Sequence, residues 1–449
     1  MFKKIMKTVV AASLIYGISV MMGAGTIAQQ KQVVRFLNNE TDPPSLAFYK
    51  KAIAEFEKLN PAITIEMEQV STDSRLQKIT AALSAKTMPD VFKLLSEERF
   101  QFVRKGYLAP LDDLVKEIGA QDFVDGSIVK VDGRVYDLPY TLGNFSVLWY
   151  RDDILKANGI QPPKNWTELR AAAKAMTKDD TYGFIYPAGK NRMNTIFLST
   201  MMWSAGGTYF DKNLNVTFNN PGTIAALHFL KEMAAYSPKG IGAYSYSDMV
   251  NTYLTGKVAL DIYAPRLIAN VASNAPDLLP KTFAAPMPAG PSGIGVKFLS
   301  VNSYAIASPT VSGKNVVAAK KFLKYILTAE RVRDFSLTAF PHLLPPLKSV
   351  QKTVLDAGVS QLSGRRDLAT IAFETSNSLD FDSEAGATFV NGVVKKSGVI
   401  NPYIGAIIAR HIPAEVVQRV VLNNETPEAA VAWGAERMKA LVDEQRKNK

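Results

Sequence analysis

Two short stretches carry the residues best equipped for chemistry, and each closes an apolar run. Asn38-Asn39-Glu40-Thr41-Asp42 follows residues 33–37 and stops at Pro43-Pro44; Asp261, Tyr263 and Arg266 finish the run 258–262 around the turn Ala264-Pro265. Amide, carboxylate, phenol and guanidinium groups can accept and donate hydrogen bonds and offer a flat ring face, which is the chemistry of holding a small polar molecule. Bond-breaking chemistry has little to stand on. There is no cysteine, and His228, His342 and His411 lie far apart, with no helical His-x-x-x-His pair and no Gly-x-Ser-x-Gly elbow. Gly290-Pro291-Ser292-Gly293-Ile294-Gly295 lacks the Gly-Lys-Ser/Thr ending of a phosphate loop. His228 sits in the apolar run Ala225-Ala226-Leu227-His228-Phe229-Leu230 and reads as a core residue. No catalytic residue, metal site or cofactor is expected.

The elements that must position those residues follow from periodicity. After the strand at 33–37, Leu46, Tyr49, Ile53, Phe56 and Leu59 repeat at helical spacing up to Asn60-Pro61, and then Ile63, Ile65 and Met67 alternate as a strand. A second helical stripe, Leu76, Ile79 and Leu83, leads through Met88-Pro89-Asp90 to the apolar strand Val91-Phe92-Lys93-Leu94-Leu95. This β-α-β-α-β order predicts a parallel sheet flanked by helices. In such sheets ligands bind beyond the carboxyl ends of the strands, which aims Asn39, Glu40 and Asp42, and also Asp261, Tyr263 and Arg266, at a crevice. Gly256 ends the helix before the second of these strands by taking a left-handed conformation. Asn165, with Glu168 three residues on, caps a helix that begins at Trp166.

Length and composition set the frame. With 449 residues, 47% of them hydrophobic, the chain exceeds what one core usually organises, so two lobes are expected; the absence of a Gly/Ser-rich linker points to crossings along continuous elements. Residues 1–28 carry Lys3, Lys4 and Lys7, then an apolar core, then small residues to Ala28, the pattern of a cleavable secretory signal peptide. Retention of this segment as an anchor is the other reading. Without cysteine there is no lipobox, so a product free in a periplasm is expected. The formal charge of +11 comes from scattered basic residues, with only short pairs such as Lys50-Lys51 and Arg365-Arg366, which reads as a solvated exterior and not as a nucleic-acid surface.

Ordered motifs then tie the chain to a family. Phe56-Glu57-Lys58-Leu59-Asn60-Pro61-Ala62-Ile63, Met88-Pro89-Asp90-Val91, Gly106-Tyr107-Leu108-Ala109-Pro110-Leu111-Asp112-Asp113, Asp132-Gly133-Arg134-Val135-Tyr136-Asp137-Leu138-Pro139-Tyr140 and Leu254-Thr255-Gly256-Lys257-Val258-Ala259-Leu260 occur in sequence. The chain resembles the family 1 extracellular solute-binding proteins, the sugar-capturing receptors of ABC importers, with Ala259-Leu260 where Ala-Met is usual. The resemblance implies a two-lobed, maltose-binding-protein-like α/β clamshell (type II), each lobe a mostly parallel sheet flanked by helices. It places one lobe at 29–144 and 302–343, the other at 149–297 and 348–449, and crossings near 145–148, 298–301 and 344–347. It adds Asp90, Tyr140, Asn144, Trp203, Gly206 and Tyr403 to the ligand-contacting set. Trp203, flanked by serine and glycines, is expected to be a platform for a pyranose ring; core packing is the rival reading, as an Asx turn is for Asp90 and plain solvation for Glu40 and Asp42. The implied partners are a sugar or oligosaccharide and the transmembrane subunits of a permease, with the receptor itself a monomer. Two alternatives stay open: an anionic ligand such as a glycerol phosphate or uronic-acid oligomer, and a secreted carbohydrate-active enzyme.

Overall fold

The computed structural model describes residues 31–178, 180–311 and 313–447; the expected leader at 1–28 lies outside them. The larger sheet is built from β1 (Gln32–Asn38), β2 (Ile63–Gln69), β3 (Val91–Leu94), β4 (Asp137–Asn144) and, late in the chain, β8 (Lys297–Ile306), in the order β2-β1-β3-β8-β4. The β1–β2 and β1–β3 pairings are parallel, as the β-α-β-α-β order predicts. β8 then runs antiparallel to both β3 and β4. It is unbroken over ten residues, and its first two pair in parallel with β9 (Ser378–Leu379).

A smaller sheet holds β5 (Val147–Arg151) between β6 (Leu260–Tyr263) and β7 (Thr282–Ala285). Here the expectation of a mostly parallel sheet is corrected, because β5 is antiparallel to both neighbours. The reason lies in its origin: β5 leaves the larger sheet through Phe145-Ser146 alone and so arrives running against the strands it joins. Parallel pairing survives there as isolated bridges, Ile185 with Asp261 and Tyr182 with Val258 on the far side of β6, and Asn165 with Ala289. A short exposed hairpin, β10 (Thr388–Val390) and β11 (Val393–Lys395), turns on Asn391-Gly392, both with positive φ.

The two sheets share an apolar cluster, in which Val147, Trp149 and Tyr263 of the smaller join Phe36 and Tyr140 of the larger. Beside the larger one, Phe36, Tyr49, Phe56, Phe322 and Phe335 bring helices Pro43–Leu59, Val316–Ile326 and Ala329–Ser336 together. Beside the smaller one, Trp166, Phe197, Trp203, Phe229 and Phe298 unite helices Trp166–Met176, Arg192–Ser204 and Pro221–Met233. Helical periodicity overreached at two positions: Leu59 is 69% exposed, being the last residue of its helix, and Leu76 is 39% exposed. The caps fall where sequence placed them. Asn165 accepts the Glu168 N–H at 3.0 Å while Glu168 accepts the Lys164 N–H at 2.8 Å, and Gly256 has φ +75°. Helix Lys348–Gly358, assigned by sequence to the second lobe, packs on helix Ala329–Ser336 beside the larger sheet.

Candidate functional site

The carboxyl ends of β1, β3 and β6 meet at one cavity of about 460 Å³. Asn39, Glu40, Thr41 and Asp42 come from the loop after β1, and Lys93 and Leu95 from the end of β3. Facing them are Tyr263 at the end of β6, Ala264 and Arg266 just after it, Arg192 at the start of helix Arg192–Ser204, and Tyr246, Ser247, Val250 and Asn251 of helix Tyr246–Leu254. Phe145, Ser300, Asn302, His342 and Leu343 line it where the chain passes between the two sheets. A volume of this order is that of a small-molecule site.

Local structure fixes these side chains. Asp42 is the N-cap of helix Pro43–Leu59, taking the Ser45 N–H at 3.1 Å, so the turn after β1 is rigid. Glu40 accepts the Tyr140 hydroxyl at 2.8 Å and lies 3.7 Å from Lys93 Nζ. Tyr140 in turn stacks on Tyr304, with centroids 4.1 Å apart. Burial alone would raise the Glu40 carboxyl, but Lys93, Arg266 and the Tyr140 hydroxyl hold it below its usual range. Burial also lowers Lys93, against the pull of Glu40. His342 is held well below its normal value by burial, with Arg266 and Lys93 adding to the effect, so its ring is neutral.

Every cation at the cavity has a carboxylate of its own. Lys93 faces Glu40, Arg266 lies 3.9 Å from Asp42, and Arg192 makes a two-pronged pair with Glu97 at 2.6 and 3.1 Å. What is left to meet a ligand is a set of amides, hydroxyls and ring faces around balanced charge.

The residues expected from sequence separate cleanly. Asn39, Glu40, Asp42, Tyr263 and Arg266 line the cavity, and Tyr140 lies one layer beneath, behind Glu40. The other six are elsewhere. Asp90 is at the amino end of β3, opposite the cavity, where it accepts the Arg35 N–H at 2.8 Å. Asn144 ties the β4–β5 connection together, accepting the Ser146 N–H at 3.0 Å and donating to the Glu374 carbonyl at 3.0 Å. Trp203 is fully buried in a helix that is buried nearly all round, parallel to the Phe298 ring at 6.1 Å, so it belongs to the core and not to a ligand platform. Gly206, φ +83°, ends that helix. Asp261 is buried with neither carboxylate oxygen hydrogen-bonded, and burial raises it well above its normal value. Tyr403 packs against Phe210 and Arg446, away from the cavity.

Sequence reasoning missed Lys93, Arg192, Tyr246, Ser300, Asn302 and His342. Lys93 did give a signal, since one ammonium inside the apolar strand Val91-Phe92-Lys93-Leu94-Leu95 has to find a partner or a cavity. Arg192, Ser300 and Asn302 gave none, because only the packing of distant segments turns them inward.

With this geometry in hand, comparison with known proteins is informative. The family described as bacterial extracellular solute-binding protein matches residues 40–332, and the chain belongs to that family. A Brucella abortus protein named as a candidate binding protein is 30% identical over 329 residues, covering 70% of this chain and 76% of that one. An Escherichia coli protein, YcjN, named as a candidate ABC transporter periplasmic-binding protein, is 22% identical over 330 residues, covering 71% and 74%. Among solved structures, maltose-bound MalE3 of T. maritima is similar at TM-score 0.74 and 21% identity, covering 91% of this chain and 99% of that one. The GacH receptor of Streptomyces glaucescens, solved unliganded and with acarbose, is similar at TM-score 0.73 and 20% identity, covering 92% and 99%. The fold is therefore the two-lobed α/β clamshell of MalE-type binding proteins.

Proposed function

We propose that this chain is the substrate-capturing component of an ABC importer, working outside the inner membrane as a monomer, and that it takes a neutral sugar or oligosaccharide into the cavity between its lobes without altering a covalent bond. The lobe division in this reading puts the larger sheet, its helices and helix Lys348–Gly358 in one half. The smaller sheet with helices Trp166–Met176 through Tyr246–Leu254, and the helices from Ile404–Ala409 onward, form the other. Family membership and similarity to saccharide-bound neighbours support the transport role. The observation that carries the ligand class is the local pairing of Lys93, Arg192 and Arg266 with Glu40, Glu97 and Asp42. A phosphate or uronate would have to compete with carboxylates already in place, whereas a polyol needs only the remaining donors and acceptors. Glu40 and Asp42, positioned by Tyr140 and by a helix cap, are the acceptors for sugar hydroxyls in this reading, and Phe145, Tyr246 and Tyr263 supply apolar ring surface.

A thermal-shift screen over neutral and acidic mono-, di- and oligosaccharides tests it. Binding to the native state alone stabilises it by mass action, by about 2.7 kcal/mol at a hundredfold excess over Kd, and so raises the melting temperature. The expected result is a shift with neutral saccharides only, and full recovery of unchanged saccharide. A shift confined to phosphorylated or uronic members, or appearance of a hydrolysis product, overturns the reading.

A further inference from the structure

We infer that helix Ser96–Arg104 is one side of a latch between the two halves, and that Glu97, Arg99 and Gly405 set ligand affinity as positioning residues without lining the cavity themselves. The inference rests on the lobe division proposed above. The helix follows β3 and so belongs to the larger-sheet half. Three contacts carry it across. Glu97, 4% exposed, grips Arg192 at the head of the opposite half's central helix. Arg99, also buried, is anchored at home by two bonds to Asp137 of β4, at 2.8 and 3.0 Å, and reaches with a third Asp382, which follows Phe381, a residue packed against Trp203 in the core beside the smaller sheet. Gly405, in helix Ile404–Ala409, lies so close beneath that a Cβ there would collide with the Glu97 carbonyl oxygen.

These contacts differ in kind from a permanent core seam. Core seams in this chain are apolar and aromatic, whereas this one is made of charges that water would solvate well if the halves parted. A buried ion pair adds little net stability over its separated, hydrated partners, which suits a contact made and broken in each cycle. The latch also reaches the ligand: Arg192 lines the cavity, with its guanidinium over the Phe298 and Phe381 rings at 5.9 and 5.8 Å, so orienting Arg192 through Glu97 and bringing the halves together are one event. A shift in the open-to-closed balance changes apparent affinity in proportion to the closed fraction.

Gly405→Ala separates this from a structural role. Gly405 has no positive φ and lies in a helix, where alanine is intrinsically favoured, so the new methyl is harmless to its own half and clashes only when helix Ser96–Arg104 is seated on it. Because the chain has no cysteine, exposed Lys105 and Arg410 can be replaced by cysteine as a unique pair of spin-label sites. Distance distributions for the full-length protein, alone and with maltose or maltotriose, should show a short-distance population that Gly405→Ala reduces roughly tenfold, with saccharide binding weakened by about the same factor. Asp382→Asn should move both readouts in the same direction. The ligand-free melting temperature of Gly405→Ala should not fall. Unchanged distances, or a ligand-free melting point lowered by several degrees, would mean the contact is fixed within one rigid body, and the latch would be refuted. If neither saccharide shifts the wild-type melting temperature, the sugar-binding reading is in trouble, while the comparison of ligand-free distances still decides the latch.

Discussion

Glu40 can face a cavity as a charged acceptor only because Lys93 stands beside it and Tyr140 donates to it from below. The pair is mutually dependent: Glu40→Gln leaves Lys93 as a lone buried ammonium and is expected to cost about 3 kcal/mol of stability as well as abolishing binding. Adding Lys93→Met should restore the unfolding midpoint without restoring binding, measured by denaturant titration and calorimetry on the single and double variants. Asp261 is the opposite case, a buried carboxyl with no cation beside it. Its folded-state pKa is raised by burial, so below about pH 4 both folded and unfolded forms are neutral there; as pH rises the unfolded chain ionises while the folded one keeps its proton, and stability declines. Asp261→Asn should therefore stabilise the protein at pH 8, by about 1.4 kcal/mol for each pH unit between the two pKa values, with the gain vanishing towards pH 4 in melts at the two pH values. Sequence placed Asp261 at a strand's carboxyl end, but it is the second residue of that strand, paired opposite Trp149 inside the core. Alternation gives it the same face as Tyr263, but two residues further from the end of the strand it is too far back to reach the cavity.

Elements were more legible than sites because their signals are local. The cap at Asn165 and the stop at Gly256 depend on residues within a few positions of one another, and the parallel start of the first sheet on one β-α-β succession, whereas the place of β8 between β3 and β4 left no such mark. Asn165→Ala should cost about 1 kcal/mol, seen as a lower unfolding midpoint, since the Glu168 N–H loses its acceptor at a half-exposed helix start. Binding should be untouched, because helix Trp166–Met176 contributes nothing to the cavity. Trp203 shows where local signals fail. Ser204 and Gly206-Gly207 announce the end of a helix, but not that the helix is surrounded on every side by others. Its burial comes from Phe298 and Phe381, which lie 95 residues and more away in sequence.

At the scale of the molecule, the cavity is assembled from the ends of strands in two different sheets, and the charges on its walls come from pieces that no window of sequence contains. Asp42 meets Arg266 and Glu97 meets Arg192 at the cavity, and Arg99 meets Asp382 away from it, all across separations of 90 residues or more. Family resemblance named the architecture, and the crevice rule for open α/β sheets placed the loops after β1 and β6. Charge balance at the site was invisible until those partners were brought together. The formal +11 of the chain is accordingly no guide to the ligand, because the basic residues at the cavity are each answered where they stand.

β8 runs without a break from Lys297 to Ile306, held by β9 at one end and by β3 and β4 along the rest. A strand hydrogen-bonded along its length cannot bend sharply without breaking ladder bonds. In the division proposed above β8 passes between the halves, so a strand tied along its length is expected to bound the amplitude of gaping more tightly than a free connector would.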